Sequence, residues 1–194
     1  MITIAWDMDD VLNNLMWAWF QGEWRPTHPD CGLQYRDLTE NPPHRILGIE
    51  PGEFLEMIDA YRASDKAADL VPNREILDWL AGCGSRCLHV VVTARPIGSL
   101  PQMSHWLFRH FGCYVRALGV VPVRLKPGEA AYHRGKGEFL KWFGRVDAMV
   151  DDSEDNLRSA EASGVRGILF PQPWNRSRAS VSDTLGFLSD LVTG

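Results

Sequence analysis

The sequence predicts an α/β fold, a parallel β-sheet flanked by helices, with a small helical cap inserted after the first strand. Three observations carry that expectation. Short β-rich runs alternate with helical patterns along the chain, which argues for a sheet wound on both faces. Several of those runs are continuously apolar, as strands buried on both sides are. Between the first run and the second lie roughly eighty residues, where a strand-to-helix connection needs only a few plus the helix itself.

The strand signals are "ITIAW" (2–6), "LHVVVT" (88–93), "YVRALGVV" (114–121), "VDAMV" (146–150) and "RGILF" (166–170). Helical patterns separate them. "PGEFLEMIDAY" puts Phe54, Leu55, Ile58 and Tyr61 on one face, "EILDWLAG" ends at Gly82, and "LPQMSHWLFRHFG" opens near Pro101 and closes at Gly112. In "DSEDNLRSAEASG", Asp152 or Ser153 can cap the start and Gly164 can terminate the helix. The surplus between the first two strands, residues 15–71, is too long and too patterned for a loop and reads as a helical cap. The core domain would then be 1–14 together with 72–194, a Rossmann-like sheet.

With 194 residues, 45% apolar and 23% charged, the chain can bury a core and shows no sign of disorder. Its net charge of -5 disfavours a nucleic-acid polymer or an anionic membrane as partner, while leaving room for one small phosphorylated ligand held by local cations. No apolar run is long enough to span a membrane and no signal peptide is visible, so a cytoplasmic location is expected. Nothing speaks against a homodimer. The four cysteines, Cys31, Cys83, Cys87 and Cys113, form neither a disulfide framework nor a paired zinc motif and read as reduced thiols. His28 and Cys31 in "HPDC" would need two further zinc ligands that nothing supplies.

The functional signal is a convergence of oxygen ligands. In an open parallel sheet, ligands bind outside the carboxyl ends of the strands. Asp7 and Asp9 follow the first strand, Thr93 ends the second, and Asp151 and Asp152 follow "VDAMV", so four acids and a hydroxyl would share one rim. Carboxylates crowded in this way repel one another unless a cation or a proton is present.

Taken in order, "DMDDV", "TAR", "GKG" and "DDSED" resemble the four motifs of the haloacid dehalogenase (HAD) superfamily of phosphatases, from about Ile2 to Phe170. The insertion after the first motif and "FPQPWN" after the last strand resemble the branch that holds the 5′-nucleotidases and 5′(3′)-deoxyribonucleotidases. In that branch the residue at position 10 is often Gly, whereas this chain has Asp10. The resemblance implies a magnesium-dependent phosphomonoester hydrolase. Asp7 would attack phosphorus to form an acyl phosphate, and Asp9 would protonate the leaving oxygen and then deprotonate water. The Mg2+ ligands it implies are the Asp7 carboxylate, the Asp9 main-chain carbonyl and Asp151, with Asp152 a ligand or an anchor, and Asp155 orienting the site or simply favouring the helix dipole. Thr93 and the Ala94 backbone would grip the phosphoryl oxygens, Lys136 would offset the negative charge, and Arg95 would be structural or touch substrate. Arg134 and Lys141 compete with Lys136 for the lysine role.

The cap begins with "NNLMWAWFQGEW", which sets Trp17, Phe20 and Trp24 on one side of a helix. They read either as cap core or as a stacking platform for a nucleobase. The second reading favours a nucleoside or deoxynucleoside monophosphate as substrate. A sugar phosphate or another small metabolite is the alternative within the same chemistry, and a catalytically silent binding module the alternative outside it.

Overall fold

The computed structural model describes residues 1–121, 123–125, 127–130 and 132–194. Five parallel strands, β1 (Thr3–Trp6), β2 (Leu88–Thr93), β3 (Val115–Val120), β4 (Ala148–Asp151) and β5 (Arg166–Leu169), form one sheet in the order β3-β2-β1-β4-β5. The chain builds outward from β1 to β3, then crosses to the other side of β1 to add β4 and β5. The carboxyl ends of β1 and β4 therefore flank the point where strand order reverses, which is where such sheets open a crevice.

Side chains alternate across the sheet with the period of two that strands impose. Ile4, Trp6, Val91 and Val150 face one way, into a cluster with Ile76, Trp79, Met103, Trp106, Phe111 and Leu188. Ala5, Val90, Val92 and Met149 face the other way, onto Phe139, Leu140, Leu157 and Ala160. The helices on the first face are α3 (Arg74–Cys83), α4 (Leu100–Phe111) and α7 (Val181–Thr193); those on the second are α5 (Lys136–Phe143) and α6 (Glu154–Glu161). Ser153 caps α6, its hydroxyl accepting from the Asn156 amide, and Gly164 follows with φ +83°. Helix α7 has no counterpart in the sequence reading, although Ser180 and Asp183 form the reciprocal capping box that announces it.

The segment between β1 and β2 is helical. α1 spans 15–27, with a π-wound turn at Phe20–Trp24, and α2 spans Pro51–Arg62; the short helices His44–Leu47 and Asp65–Ala68 lie around α2. The apolar cluster on the first sheet face runs on without a break into Leu15, Trp19, Phe20, Phe54 and Ile58. Asn13 bridges Pro72, and the Asn73 amide donates to the Leu12 carbonyl at 2.8 Å, so the outgoing and returning strands of the segment are tied together at its base. Among the described residues no helix is long and apolar enough to cross a membrane, and all four cysteines are free thiols. His28 is stacked on Trp24 with ring centroids 3.7 Å apart, so its ring serves packing.

One polar contact inside the first cluster has a pH signature. The Trp6 indole N–H donates to His89 Nδ1 at 3.1 Å, and His89 Nε2 lies 2.9 Å from the Gly84 carbonyl, with the Cys87 Sγ at 3.5 Å. These partners suit only the neutral ring, protonated on Nε2. Burial, helped by the charge of Arg116, moves the His89 pKa below its ordinary 6.5 against the pull of the Gly84 carbonyl. The unfolded chain therefore binds the proton more readily, and this contribution to stability is complete above pH 6.5 and declines as pH falls below it. Urea unfolding from pH 8 to pH 5 is expected to show that decline, and His89→Asn, which keeps an acceptor, is expected to flatten it. An unchanged slope in the variant contradicts the assignment.

Candidate active site

Four chain segments meet at the carboxyl ends of β1, β2 and β4. The Asp7 amide donates to the Val150 carbonyl at 2.8 Å, extending the β1–β4 pairing by one residue and fixing Asp7 at the strand end. The chain then turns sharply through Met8–Leu12, with Asp10 at φ 60°, a left-handed conformation that Asp tolerates better than most residues. The Asp10 carboxylate accepts from the Met16 amide at 2.8 Å, and Asn13 Oδ1 accepts from the Leu15 amide at 3.0 Å, so this acidic turn also caps α1. Asp at position 10 thus has a structural task that Gly could not perform.

Lys136 is the first residue of α5 and is almost fully buried, yet its ammonium donates to Asp7 Oδ1 at 2.6 Å and to Asp151 Oδ2 at 2.7 Å. Burial would pull its pKa down, but Asp151 and Asp7 outweigh burial and raise it, so it is charged. The neighbouring Gly137 explains the "GKG" pattern: a Cβ there would stand 2.2 Å from the Ser159 carbonyl oxygen, so only glycine lets α5 press against α6 and deliver the lysine. Arg134 and Lys141 are exposed and take no part.

Asp7, Asp151 and Asp152 bring one carboxylate oxygen each to within 4.8 Å of one another, all buried. Burial raises the Asp7 pKa to about 7, against Lys136 and with the repulsion of Asp151 and Asp9. Burial, with the charges of Asp151 and Asp7, likewise pushes Asp152 well above the carboxylate range. Such crowding of hard oxygen donors around a single ammonium suits a divalent cation. The two neighbouring acids differ in availability. Asp151 is enclosed, accepting from Lys136, from the Ser153 amide at 2.8 Å and from the Asn156 side-chain amide at 3.1 Å. Asp152 faces the cavity, with one oxygen held by the Trp174 indole N–H at 2.7 Å and its carbonyl by Asn175. Both acids belong to the cluster with Asp7, and Asp152 is the one of the two that lines the cavity. Asp155 is largely exposed and paired with Arg158, outside the cluster, which leaves it the dipole role.

The cavity above this floor has a volume of about 270 Å³. Thr93 and Ala94 line it beside Asp7, as expected, and Asp9 opens onto it as well. Burial would raise the Asp9 pKa, but Arg95 and then Arg62 outweigh burial and hold it at about 2. Arg95 chelates Asp9 through Nε at 2.8 Å and through a second, shorter contact, and Arg62 reaches it at 3.2 Å. Arg95 is 2% exposed and is not among the residues lining the cavity, so what it does here is hold the Asp9 carboxylate.

Of the two readings of the cap aromatics, cap core holds for Phe20 and Trp24, and the three rings do not gather into a platform. Phe20 and Trp24 are 0% and 3% exposed in the apolar cluster, and Trp17 is half exposed on another face, beside Asn14 and Val71. Trp17, three residues before Phe20, lies at the edge of the helical face of the other two and so outside the cluster that encloses them. The cap wall of the cavity comes instead from Met16, Phe54, Leu55, Ile58 and Arg62, with Arg124 from the loop after β3. The sequence reading missed Arg62, Arg124, Asn156 and Trp174. Arg62 ends the amphipathic pattern of α2, and Trp174 lies in the "FPQPWN" stretch, so both stood in segments already marked as unusual.

No protein-family model matches the chain, and no curated protein sequence matches it. Solved structures do. A hydrolase from Streptococcus pneumoniae TIGR4 superposes with a TM-score of 0.64 at 12% identity, over 96% of this chain and 97% of that one. The fold is that of the HAD-superfamily hydrolases. A putative beta-phosphoglucomutase from Thermotoga maritima matches with a TM-score of 0.60 at 16% identity, over 98% and 100% of the two chains. A putative HAD-hydrolase from Bacillus subtilis, bound to magnesium, matches with a TM-score of 0.54 at 11% identity, over 100% and 99%. Identities this low speak for the HAD fold alone, and no 5′-nucleotidase is among these three.

The placement of the aromatics predicts different costs for their removal. Phe20→Ala is expected to destabilise the protein by roughly 3–5 kcal/mol, the range for an aromatic truncated in a packed core. Trp17→Ala is expected to fall within about 0.5 kcal/mol of wild type, as surface changes do. Denaturant melts of both variants check this, and comparable losses would contradict the placement.

Proposed function

We propose that the protein is a magnesium-dependent phosphomonoester hydrolase that forms and then hydrolyses an acyl phosphate on Asp7, with a small phosphorylated metabolite as substrate. One observation carries this reading: Asp7 is a buried carboxylate, locked at the end of β1 by Lys136, that faces an open-mouthed cavity lined by Asp152, Thr93 and Ala94. No other acid of the cluster combines that fixation with access.

Asp7 would attack phosphorus, breaking the bond to the ester oxygen, and water would then split the acyl phosphate to release inorganic phosphate and free Asp7. Asp7, Asp152 and the Asp9 carbonyl would hold magnesium, which would supply neutralisation of the repulsion between two anions that must approach. Thr93 and the Ala94 backbone are placed to orient the phosphoryl oxygens. Lys136 keeps Asp7 aimed and offsets its charge. Asp9 is a carboxylate in this arrangement and so fits the base that takes a proton from the attacking water. Protonating the ester oxygen asks Asp9 to carry that proton, which Arg62 and Arg95 together oppose; the step needs one guanidinium to withdraw.

The nucleoside monophosphate loses its support with the aromatic platform. Of the described cavity-lining residues only Phe54 is aromatic, and it is 2% exposed. A sugar phosphate or other small metabolite asks nothing of the cap beyond what is there. Both catalytic acids are in place, which is what a silent binding module would have no need to keep.

A panel of mononucleotides, sugar phosphates and small organic phosphates, with magnesium and with EDTA, tests the reading. Hydrolysis is expected with magnesium only, and Asp7→Asn is expected to lower it by about 10⁴-fold or more while leaving the melting temperature near that of wild type. Turnover by folded Asp7→Asn would remove the nucleophile assignment. Magnesium titration by calorimetry is expected to show Asp152→Asn binding at least about tenfold more weakly than wild type and Asp155→Ala binding like wild type. The reverse order would return the ligand role to the helix.

A further inference from the structure

We infer that Arg62 and Arg124 form a site for a second anionic group on the substrate, at the cap side of the cavity, so that the phosphomonoester hydrolysed here carries a carboxylate or a second phosphate on its far end. The inference rests on the phosphatase reading for the near end and adds the substrate class.

The cap wall holds a chain of ion pairs. Asp59, on α2, lies between Arg62, at 3.0 Å, and Arg124, whose Nη2 approaches its two oxygens at 2.6 and 2.7 Å. Arg62 also reaches Asp9, which Arg95 already chelates. Among the described residues, three guanidinium groups in this chain share two carboxylates, Asp9 and Asp59, in direct ion pairs, with the Asp10 carboxyl acting on Arg62 from farther off. Arg62 and Arg124 both line the cavity.

A second feature points to a ligand. Arg62 Nε is buried and has no hydrogen-bond partner among the described residues, although guanidinium donors removed from water are nearly always matched. Arg62 itself lines the cavity, and a turn of its guanidinium would present that donor to an anion there. The existing partner is also one that can be exchanged. The Arg124 and Asp59 side chains are 37% and 29% exposed, and ion pairs with that much access to water contribute little net stability. A ligand carboxylate or phosphate offers arginine the same forked geometry. Met16, Leu55, Ile58 and Val123 add apolar surface to the same lining, which suits an uncharged body joining the two anionic ends.

The site thus has two poles, and non-hydrolysable probes can read them separately. The probes are butylphosphonate, 4-phosphonobutyrate and butane-1,4-diphosphonate, titrated calorimetrically into the protein with magnesium. One or both of the tailed probes are expected to bind at least tenfold more tightly than butylphosphonate, and which of them does so says whether carboxylate or phosphate is preferred. Arg124→Gln is expected to remove most of that advantage, and Arg124→Lys to keep part of it. Arg124 is exposed enough to be changed without threat to folding; Arg62→Gln provides the same test where it folds. Asp59→Asn should act in the opposite direction, increasing the advantage, because the internal competitor is gone. A purely structural role for the network would make Asp59→Asn and Arg124→Gln weaken all three probes together.

Equal affinity for tailed and tailless probes in the wild-type protein overturns the inference, as does a loss in Arg124→Gln that is the same for all three, which would assign the arginines to the reacting phosphoryl or to the shape of the cap. The phosphatase reading is judged apart from this, by magnesium-dependent hydrolysis of a neutral-bodied aryl phosphate and its loss in Asp7→Asn.

Discussion

The site depends on one buried ammonium. Lys136 joins the acid that follows β1 to the acid that ends β4, across the point where the order of strands reverses. Without it, Asp7, Asp151 and Asp152 would be three carboxylates packed together in the dry end of a sheet. Removing one partner of such a buried pair typically costs about 3–5 kcal/mol, because the remaining charge is left uncompensated. The requirement propagates outward. The lysine must enter at the first turn of α5, α5 must lie against α6, and Gly137 is the residue that permits that approach. Asp151 must face the lysine, and its other contacts come from the start of α6, where Ser153 and Asn156 hold it. Asp152 is then free to face the cavity.

Opposite this floor, charge of the other sign is gathered on the cap wall. The two halves touch at Asp9, which belongs to the catalytic turn by sequence and to the arginine network by contact. On the proposed function, an anion entering the cavity would meet a cationic wall on one side and, on the other, an acidic floor suited to a metal, so a phosphoryl group would have one place to go and any additional anion another. The division separates the two ends of a small ligand electrostatically, with no need for shape to do so alone.

Much of this was legible in the chain. The alternation of apolar runs with helical patterns located all five strands to within two residues at either end, because buried parallel strands are written as continuous apolar segments. The residues carrying "DMDDV", "GKG" and "DDSED" do meet at one rim, since strand ends in a parallel sheet leave them little choice. What could not be read was any contact set by tertiary packing. Which of Asp151 and Asp152 faces the cavity depends on Lys136 and Asn156 enclosing the first. Of the two readings of the aromatics of α1, cap core holds for Phe20 and Trp24, while Trp17 stays outside, and nothing in "WAWFQGEW" tells which ring the packing encloses. Arg62 and Arg124 come from segments far apart in sequence and become neighbours only because both reach Asp59.

The catalytic turn and the cap also share parts, which bears on how the two could move. Asp10 sits between Asp9 and the amide of Met16, so the residue beside the catalytic acid is the cap of the first inserted helix. Gln172, from the loop after β5, holds the Asp10 carbonyl and accepts from the Tyr35 hydroxyl at 2.9 Å, linking the same turn to a second point in the inserted segment. At the base, Asn13 pairs with Pro72. A tilt of the inserted helices large enough to admit a ligand must therefore either pivot at that bridge or disturb the turn that carries Asp9. A pivot there would part Arg124 from Asp59 and Arg62 from Asp9, along with the Tyr35–Gln172 contact and some of the shared apolar packing, while Arg95, which belongs to the sheet side, stays on Asp9. The arginine that leaves with the cap is then the one whose departure relieves Asp9, and the one that remains keeps it aimed.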